Sequence, residues 1–216
     1  MVALDFRQLS KYNHSKVTKG ETIWQLILES ALNKKGYQFT QQAIARSLGY
    51  SLSTVNHAID SPTRMGALKK SGRFFTLVDF KKLLYYWASR RQLSRDLIYQ
   101  TYSPLTIWER EGLVPPTATL AGYSAARYWL KEAAADYDKL YFYLTEKDLI
   151  EAEKRYLPTA KKLPANTFVL KKAEYFRNKG SLTSLTQTFV DVWNLGDWYS
   201  RDFVVALETK INELLS

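Results

Sequence analysis

The sequence predicts an α+β protein made of two units, and two observations lead to this prediction. Residues 40–59 have the pattern of a short helix, a glycine break and a second helix, and residues 67–77 have that of two short apolar strands around a turn. This combination is typical of a winged helix-turn-helix, which needs roughly a hundred residues at most. The chain has 216 residues, and helical and strand-like patterns alternate in its second half, which predicts a second, mixed α/β C-terminal domain.

Charge is unevenly distributed along the chain. Residues 1–102 contain 16 Lys/Arg and 6 Asp/Glu, whereas residues 103–216 contain 15 of each, in agreement with the totals of 31 and 21. The whole formal net charge of +10 therefore lies in the N-terminal half. A basic half joined to a neutral half predicts a polyanion-binding surface on one domain.

Composition also limits the class of protein. A hydrophobic content of 46% and an aromatic content of 14% supply enough apolar surface for packed cores. No apolar run approaches the roughly 20 residues that span a bilayer, and the N-terminus lacks a secretory signal pattern, so we expect a cytoplasmic protein without membrane contact. With no cysteine and only two histidines, His14 and His57, no disulfide, metal site or cofactor is expected.

Residues 1–19 form a predicted basic N-terminal arm, in which four cations accompany the single acid Asp5. Two interpretations stay open for it: a solvated tail, or an arm that follows a DNA backbone. A helix is predicted after Gly20, because its residues recur at the i, i+3, i+4, i+7, i+8 spacing of one buried face. The predicted buried residues are Ile23, Leu26, Ile27, Ser30 and Ala31.

The next stretch has the pattern of the first helix of a helix-turn-helix. Thr40 is placed to cap this helix, and Gly49 is placed to end it. Its predicted buried residues are Ala43, Ile44 and Leu48.

A second helix follows, capped by Ser51 or Ser53. Its inward stripe is Val55, Ala58 and Ile59. Polar side chains near its N-terminal end therefore face outward, as in a recognition helix that reaches base edges and phosphates in the major groove. These outward residues are Ser53, Thr54, Asn56 and His57.

Two apolar-rich runs, residues 67–70 and 74–77, flank a turn and resemble a wing. Cations at the tip of a wing contact the DNA backbone beside the groove. Together with the charge distribution, these motifs predict binding of double-stranded DNA; an unrelated helical module with a polar face is the alternative. The predicted DNA-binding residues are Thr40, Gln41, Ser51, Ser53, Thr54, Asn56, His57, Arg64, Lys69, Lys70 and Arg73.

A further helix is predicted to begin at Asp79, with one apolar face. We predict the domain boundary near Ser103 and Pro104. Residues 20–103 then form the winged helix-turn-helix domain with this extra helix, and residues 104–216 form the α/β domain, for regulation or protein contacts. The apolar face of the extra helix consists of Phe80, Leu83, Leu84, Trp87 and Ala88.

The second half contains a turn leading into a helix at residues 119–129 and strand-like runs at residues 140–144 and 168–170. A charged helix is predicted between these strands at residues 146–155. Two final helices, at residues 182–195 and 198–215, are separated by Gly196 and Asp197.

Several of these stretches resemble a known family. The run GYSAA at residues 122–126, the strand after it, and the run LTQTFVDVWNLG at residues 185–196 followed by a helix are similar to the C-terminal domain of AbiEi-type antitoxins. These antitoxins are transcriptional regulators of abortive-infection toxin-antitoxin systems, and an N-terminal winged helix belongs to the same architecture. The long basic start before Gly20 departs from the family.

The resemblance implies that the winged domain binds inverted repeats in its own promoter. It also implies that the C-terminal domain contributes to neutralising a nucleotidyltransferase-like toxin, without enzymatic activity of its own. A homodimer on a palindromic site and two tandem monomers both fit such a regulator.

Two alternatives from other classes stay open. The first is a Mg²⁺-dependent minimal nucleotidyltransferase, in which Gly122 and Ser124 would hold the triphosphate while Asp136 and Asp138 bind the metal. The second is a protein-interaction adaptor whose winged helix no longer binds DNA. Asp191, on an apolar helix, is expected to be a paired or capping acid and not a catalyst.

Overall fold

The computed structural model describes residues 18–157, 163–172 and 180–216, so the predicted arm before residue 18 lies outside the described residues. The fold is mixed α+β with two sheets, and no helix in these ranges is long and apolar enough to cross a membrane. Short 3-10 helices lie at Leu93–Asp96 and Glu146–Asp148. The other elements, in chain order, are α1 (Lys19–Leu32), β1 (Gln38–Thr40), α2 (Gln41–Leu48), α3 (Leu52–Arg64), β2 (Leu68–Ser71), β3 (Phe74–Leu77), α4 (Phe80–Arg90), β4 (Leu97–Thr101), α5 (Ile107–Gly112), β5 (Thr119–Ala121), α6 (Gly122–Leu130), β6 (Leu140–Leu144), α7 (Leu149–Arg155), β7 (Thr167–Lys171), α8 (Leu185–Trp193) and α9 (Ser200–Leu215).

Polar side chains fix where the N-terminal helices begin. Thr18 starts α1 through a reciprocal capping box with the third helical residue. Thr40, Ser51 and Asp79 start α2, α3 and α4, each accepting a hydrogen bond from the backbone N–H three residues later at 3.0, 3.2 and 2.9 Å. The caps at Thr40 and Asp79 agree with the sequence prediction, and of the two serines proposed for α3 the structure uses Ser51.

Three strands of the N-terminal unit form an antiparallel sheet in the order β1, β3, β2. In the β2–β3 hairpin Ser71 pairs with Phe74, so the loop consists of Gly72 and Arg73. Gly72 has φ +57°, a left-handed conformation that glycine adopts without steric cost. Strand β1 has no signal in the sequence, because its three residues are specified by pairing with β3 and not by a local pattern.

Two predicted burial patterns of this unit need correction. Ala43 is exposed, and Ala45 is buried in its place, because the stripe of α2 that faces α3 runs through Ile44, Ala45 and half-buried Leu48. Helix α1 is buried on more sides than one stripe. Trp24 and Leu28 are buried together with the predicted Ile23, Ile27 and Ala31, whereas the predicted Leu26 and Ser30 are half-buried. The Trp24 indole donates to the carbonyl of α3 residue Ala58 at 2.8 Å.

The second sheet has the strand order β4, β7, β6, β5, with β6 parallel to β7 and the other pairs antiparallel. All five residues of β6 are buried, which makes it the centre of this unit's core. Strand β4 precedes the predicted boundary near Ser103, yet its hydrogen bonds join it to β7. Residues 97–101 therefore belong with the second sheet, and local sequence patterns do not reveal a pairing across about 70 residues.

The two units share a continuous apolar core. Helix α1 packs against α3 in the N-terminal unit and against α8 and α9 of the second unit. Polar contacts cross the same junction: Gln25 donates to Ser184 at 3.1 Å, Asn194 donates to the carbonyl of Ala88 at 3.1 Å, and Tyr85 donates to Glu208 at 2.9 Å. The N-terminal unit is therefore anchored to the second unit by α1 and α4.

A buried charged cluster lies within this junction. The Arg91 guanidinium forms an ion pair with Asp96, donates to the Tyr143 hydroxyl at 2.9 Å, and lies 3.6 Å from Glu21 and 3.7 Å from Asp191. One cation faces three buried carboxylates, and burial raises the pKa of Asp191 to about 7. As expected from the sequence, Asp191 is a paired acid. The Tyr143 hydroxyl also donates a hydrogen bond to its Oδ1 at 3.0 Å.

Candidate nucleic-acid interface

Helix α3 presents a largely polar face to solvent, because most of its apolar residues face the core; the exception is Leu52, its first residue, which is exposed. Val55, Ala58 and Ile59 are buried, whereas Asn56 and His57 are exposed. Ser53, Asn56 and His57 are spaced at i, i+3 and i+4, so they share one side of the helix. The structure therefore brings three of the predicted DNA-binding residues together near the N-terminal end of α3.

Ser51 and Thr54 have a different role in the same helix. The Ser51 hydroxyl caps α3 and lies 2.9 Å from the Thr54 hydroxyl, so the two side chains bond to each other at the helix start. Thr40 likewise uses its hydroxyl to cap α2. These three predicted residues position the helices, and their side chains are already engaged in the free protein.

Asn56 joins three elements on this surface. Its Oδ1 accepts hydrogen bonds from Gln41 Nε2 of α2 at 3.4 Å and from Lys70 Nζ of β2 at 3.2 Å. Gln41 is the first residue of α2, and Lys70 points toward α3 from the hairpin. The predicted residues of both helices and of the hairpin thus form one continuous polar surface.

The other two cations of the β2–β3 hairpin, Lys69 and Arg73, point in directions different from that of Lys70. Lys69 neighbours Lys70 in β2, so it points to the opposite face of the strand. Arg73 lies in the loop, and its guanidinium carbon is 4.9 Å from the centroid of the Phe74 ring. The hairpin therefore offers exposed cations on both faces and at its tip.

Arg64 is the predicted residue farthest from this cluster along α3. It lies in the last turn of the helix and pairs with Asp60 at 2.9 Å. Both side chains are largely exposed, so the pair contributes little stability and either partner can exchange it for another ion. Arg64 neutralises the only acid on α3.

In the folded N-terminal unit the cations are more exposed to solvent than the acids. All Lys and Arg residues between 18 and 90 are exposed, whereas Glu21 is buried and Glu29, Asp60 and Asp79 are half-buried. The outer surface is therefore more basic than the composition indicates, which favours contact with a polyanion. The exposed cations are Lys19, Lys34, Lys35, Arg46, Arg64, Lys69, Lys70, Arg73, Lys81, Lys82 and Arg90.

Sequence reasoning missed one cation beside α3. Lys19 was assigned to the arm, but it is the first residue of α1, and its Nζ lies 5.3 Å from the centroid of the Tyr50 ring. Tyr50 directly precedes the cap of α3 and its hydroxyl lies 3.0 Å from that of Thr22. This contact joins residues about 30 apart in the sequence and brings Lys19 to the segment that precedes α3, and no local signal indicates it.

The residues of the nucleotidyltransferase alternative have structural contacts. Gly122 starts α6 with φ +54°, and an added Cβ would lie 3.1 Å from Tyr141, while Ser124 is fully buried. Asp138 forms an ion pair with the buried Arg110, and Asp136 is exposed. Within the described ranges, no three His, Cys, Asp or Glu side chains form a group that could hold a metal ion.

Comparison of the chain with protein-family models, with curated proteins and with solved structures finds no match. The resemblance to AbiEi-type antitoxins therefore stays a prediction from short sequence motifs.

Proposed function

We propose that this protein is a sequence-specific, double-stranded DNA-binding transcriptional regulator whose N-terminal unit is a winged helix-turn-helix. The observation that carries the proposal is the junction of Gln41, Asn56 and Lys70. It unites α2, α3 and the β2–β3 hairpin into one polar and basic surface. The order of helices and strands in residues 19–77 supports the same assignment.

Helix α3 has the dimensions and chemistry of a helix that reads bases. It is 13 residues long and presents Ser53, Asn56 and His57 toward its N-terminal end. The major groove of B-form DNA, about 12 Å wide, admits one helix, and Asn side chains pair with the N6 and N7 edge of adenine. We therefore assign base contacts to these three residues.

Phosphate contacts are assigned to the hairpin and to its neighbours. Lys69, Lys70 and Arg73 extend on an exposed hairpin, and the nearby acids Asp60 and Asp79 are paired with other cations, Arg64 and Lys82. Cations in this position neutralise the phosphates that border the groove. Lys19 adds a cation beside the start of α3.

The second unit is proposed to serve regulation or protein contacts. Through the resemblance to AbiEi-type antitoxins, the partner would be a nucleotidyltransferase-like toxin, and the DNA target an inverted repeat bound by a homodimer. Such a regulator would work in the cytoplasm. Disruption of this gene together with the toxin gene, followed by transcript measurement at its own promoter, tests the autorepressor role.

DNA binding itself is tested with the full-length protein. Duplexes are selected from a random library, and affinities are measured by fluorescence anisotropy between about 50 and about 200 mM salt, because phosphate contacts make binding steeply salt-dependent. Lys69→Ala and Arg73→Ala are each expected to weaken binding to every duplex and to reduce the salt slope by about 1.

The matched control is Lys154→Ala, which removes the same charge from exposed α7 in the second unit. It should leave affinity and salt slope unchanged. Recovery of no duplex at low salt would refute the proposal, as would an equal loss of affinity in Lys154→Ala and Lys69→Ala.

A further inference from the structure

Two exposed aromatic side chains enclose an arginine on the surface of the second unit. Trp108 lies on α5 and is 56% exposed, and Tyr128 lies on α6 and is 51% exposed. The guanidinium carbon of Arg127 lies 4.6 Å from the ring centroid of each. We call these three residues the aromatic–arginine patch.

The patch is held in place by its contacts with the core. Arg127 donates to the Glu111 carboxylate at 2.6 Å and to the Tyr137 hydroxyl at 3.2 Å, and Tyr137 donates to Glu111 at 2.8 Å. Tyr137 is buried, and its ring packs edge-on against Trp108 at 6.4 Å between centroids. The exposed rings therefore rest on an ordered support, which lowers the conformational entropy that a contact would cost.

The sequence neighbours of the patch carry more exposed acids than exposed cations, in contrast to the N-terminal unit. Glu109 follows Trp108 on α5, Glu132 follows α6, and Asp136 precedes Tyr137; all three acids are exposed. Hydrogen bonds from the backbone and hydroxyl of Thr106 lower the pKa of Glu109, so it is ionised at neutral pH. Residues 105–138 of the described chain contain three cations. Arg110 and Arg127 form ion pairs, and Lys131 is exposed.

We propose that the aromatic–arginine patch is a docking surface for a protein partner whose contacting face is apolar at its centre and carries Lys or Arg around it. Trp, Tyr and Arg are the side chains that contribute most to binding energy in protein interfaces. The acidic surroundings repel phosphates and attract cations, so they select a basic protein over nucleic acid. This surface lies on the second unit, whereas the proposed DNA-binding face lies on the N-terminal unit.

Two synthetic amphipathic helical peptides test the chemistry of the partner. One consists of Leu and Lys, and the other replaces each Lys with Glu, so that apolar content is equal and charge is opposite. Binding of each to the full-length protein is followed by tryptophan fluorescence and by calorimetry. The Lys peptide should bind, more weakly at high salt, and the Glu peptide should not.

Trp108→Ala and Tyr128→Ala are each expected to weaken binding of the Lys peptide by about tenfold or more. The double variant Glu132→Lys, Asp136→Lys keeps both rings, changes only exposed residues, and should weaken binding as well. The matched control is Trp198→Ala, because Trp198 is 81% exposed between α8 and α9 and lies outside the patch. Thermal unfolding confirms that each variant is folded.

Four results would each overturn the proposal. The first is that the Glu peptide binds as tightly as the Lys peptide, and the second is that Trp108→Ala and Trp198→Ala lose the same affinity for the Lys peptide. The third is unchanged binding of the Lys peptide by the double variant Glu132→Lys, Asp136→Lys. The fourth is that Trp108→Ala loses duplex binding and keeps peptide binding. A dimer in sedimentation that Trp108→Ala converts to monomer would assign the patch to a second copy of this chain.

Discussion

Asn56 is the residue on which the proposed DNA-binding face depends. In the free protein its Oδ1 accepts from Gln41 and Lys70, so α2, α3 and the hairpin converge on one carbonyl oxygen. The Asn56 side chain is exposed to solvent. These two hydrogen bonds fix the orientation of its amide group in the free protein. Ordering of this kind reduces the cost of fixing the side chain against a base edge.

Asn56→Ala is therefore expected to reduce discrimination between the selected duplex and a scrambled one by about 1–3 kcal/mol. Affinity for scrambled DNA should change little, because no phosphate contact is lost. Anisotropy titrations of both duplexes measure the difference, with Asn212→Ala on the exposed surface of α9 as the matched control. An equal loss on both duplexes would contradict a base contact.

Asp191 is the residue expected to make stability depend on pH. Burial raises its pKa from 3.8 to about 7, although the attraction of Arg91 opposes this shift. The folded chain then binds this proton more tightly than the unfolded chain, so the free energy of unfolding falls as pH rises from about 4 to about 7. The other ionisable groups around it are Glu21, Asp96 and Tyr143.

Replacing Asp191 with Asn should remove most of this dependence, on the order of 3 kcal/mol between pH 5 and pH 8. Urea unfolding at the two pH values measures the change. Asp202→Asn, an exposed acid on α9, serves as the control and should behave as the parent protein does. Persistence of the full pH dependence in Asp191→Asn would assign it to another group.

At the scale of elements, the start of α3 is set by one hydroxyl. Ser51 caps the helix at 3.2 Å from the Thr54 N–H, and the residues assigned to base contacts follow within its first two turns. A cap satisfies one of the donors that the first turn of a helix leaves without an intrahelical partner. The position of Asn56 and His57 therefore depends on this capped end.

Ser51→Ala should lower the free energy of unfolding by about 1 kcal/mol through loss of the cap. Chemical denaturation followed by circular dichroism provides the measurement. Ser47→Ala is the matched control, because Ser47 is exposed on α2 and caps no helix. A loss of stability in Ser47→Ala that matches the loss in Ser51→Ala would show that the cap is not the cause.

At the scale of the whole molecule, the two units are joined too closely to behave independently. Helix α1 contributes to both cores, and the Arg91 cluster connects α1, β6 and α8 within the interior. Removing one partner of a buried ion cluster leaves uncompensated charge, which costs more than the original interaction contributed. We expect the two units to unfold together.

Arg91→Ala should destabilise the protein by about 3–5 kcal/mol, and tryptophan fluorescence and circular dichroism should still report one coincident transition. Arg90→Ala removes the neighbouring, exposed cation and should change stability little. Two separate transitions in the parent protein would disprove cooperative unfolding of the units.

The sequence by itself determined the features that depend on neighbours a few residues apart. Helical periodicity and capping residues located α3 and α4, and two apolar-rich runs around a glycine turn located the β2–β3 hairpin. The charge totals located the basic half. These predictions succeed because capping, periodicity and turn geometry are local interactions.

Tertiary structure alone decided what depends on contacts between distant residues. Pairing of β4 with β7 moves residues 97–101 into the second sheet, and packing on both sides buries Trp24 in α1. The meeting of Asn56 with Lys70, and of Trp108 with Arg127, also requires the folded chain. Such contacts join elements that are far apart in the sequence, and no local sequence pattern indicates that they meet. Only the packing of the whole chain fixes them.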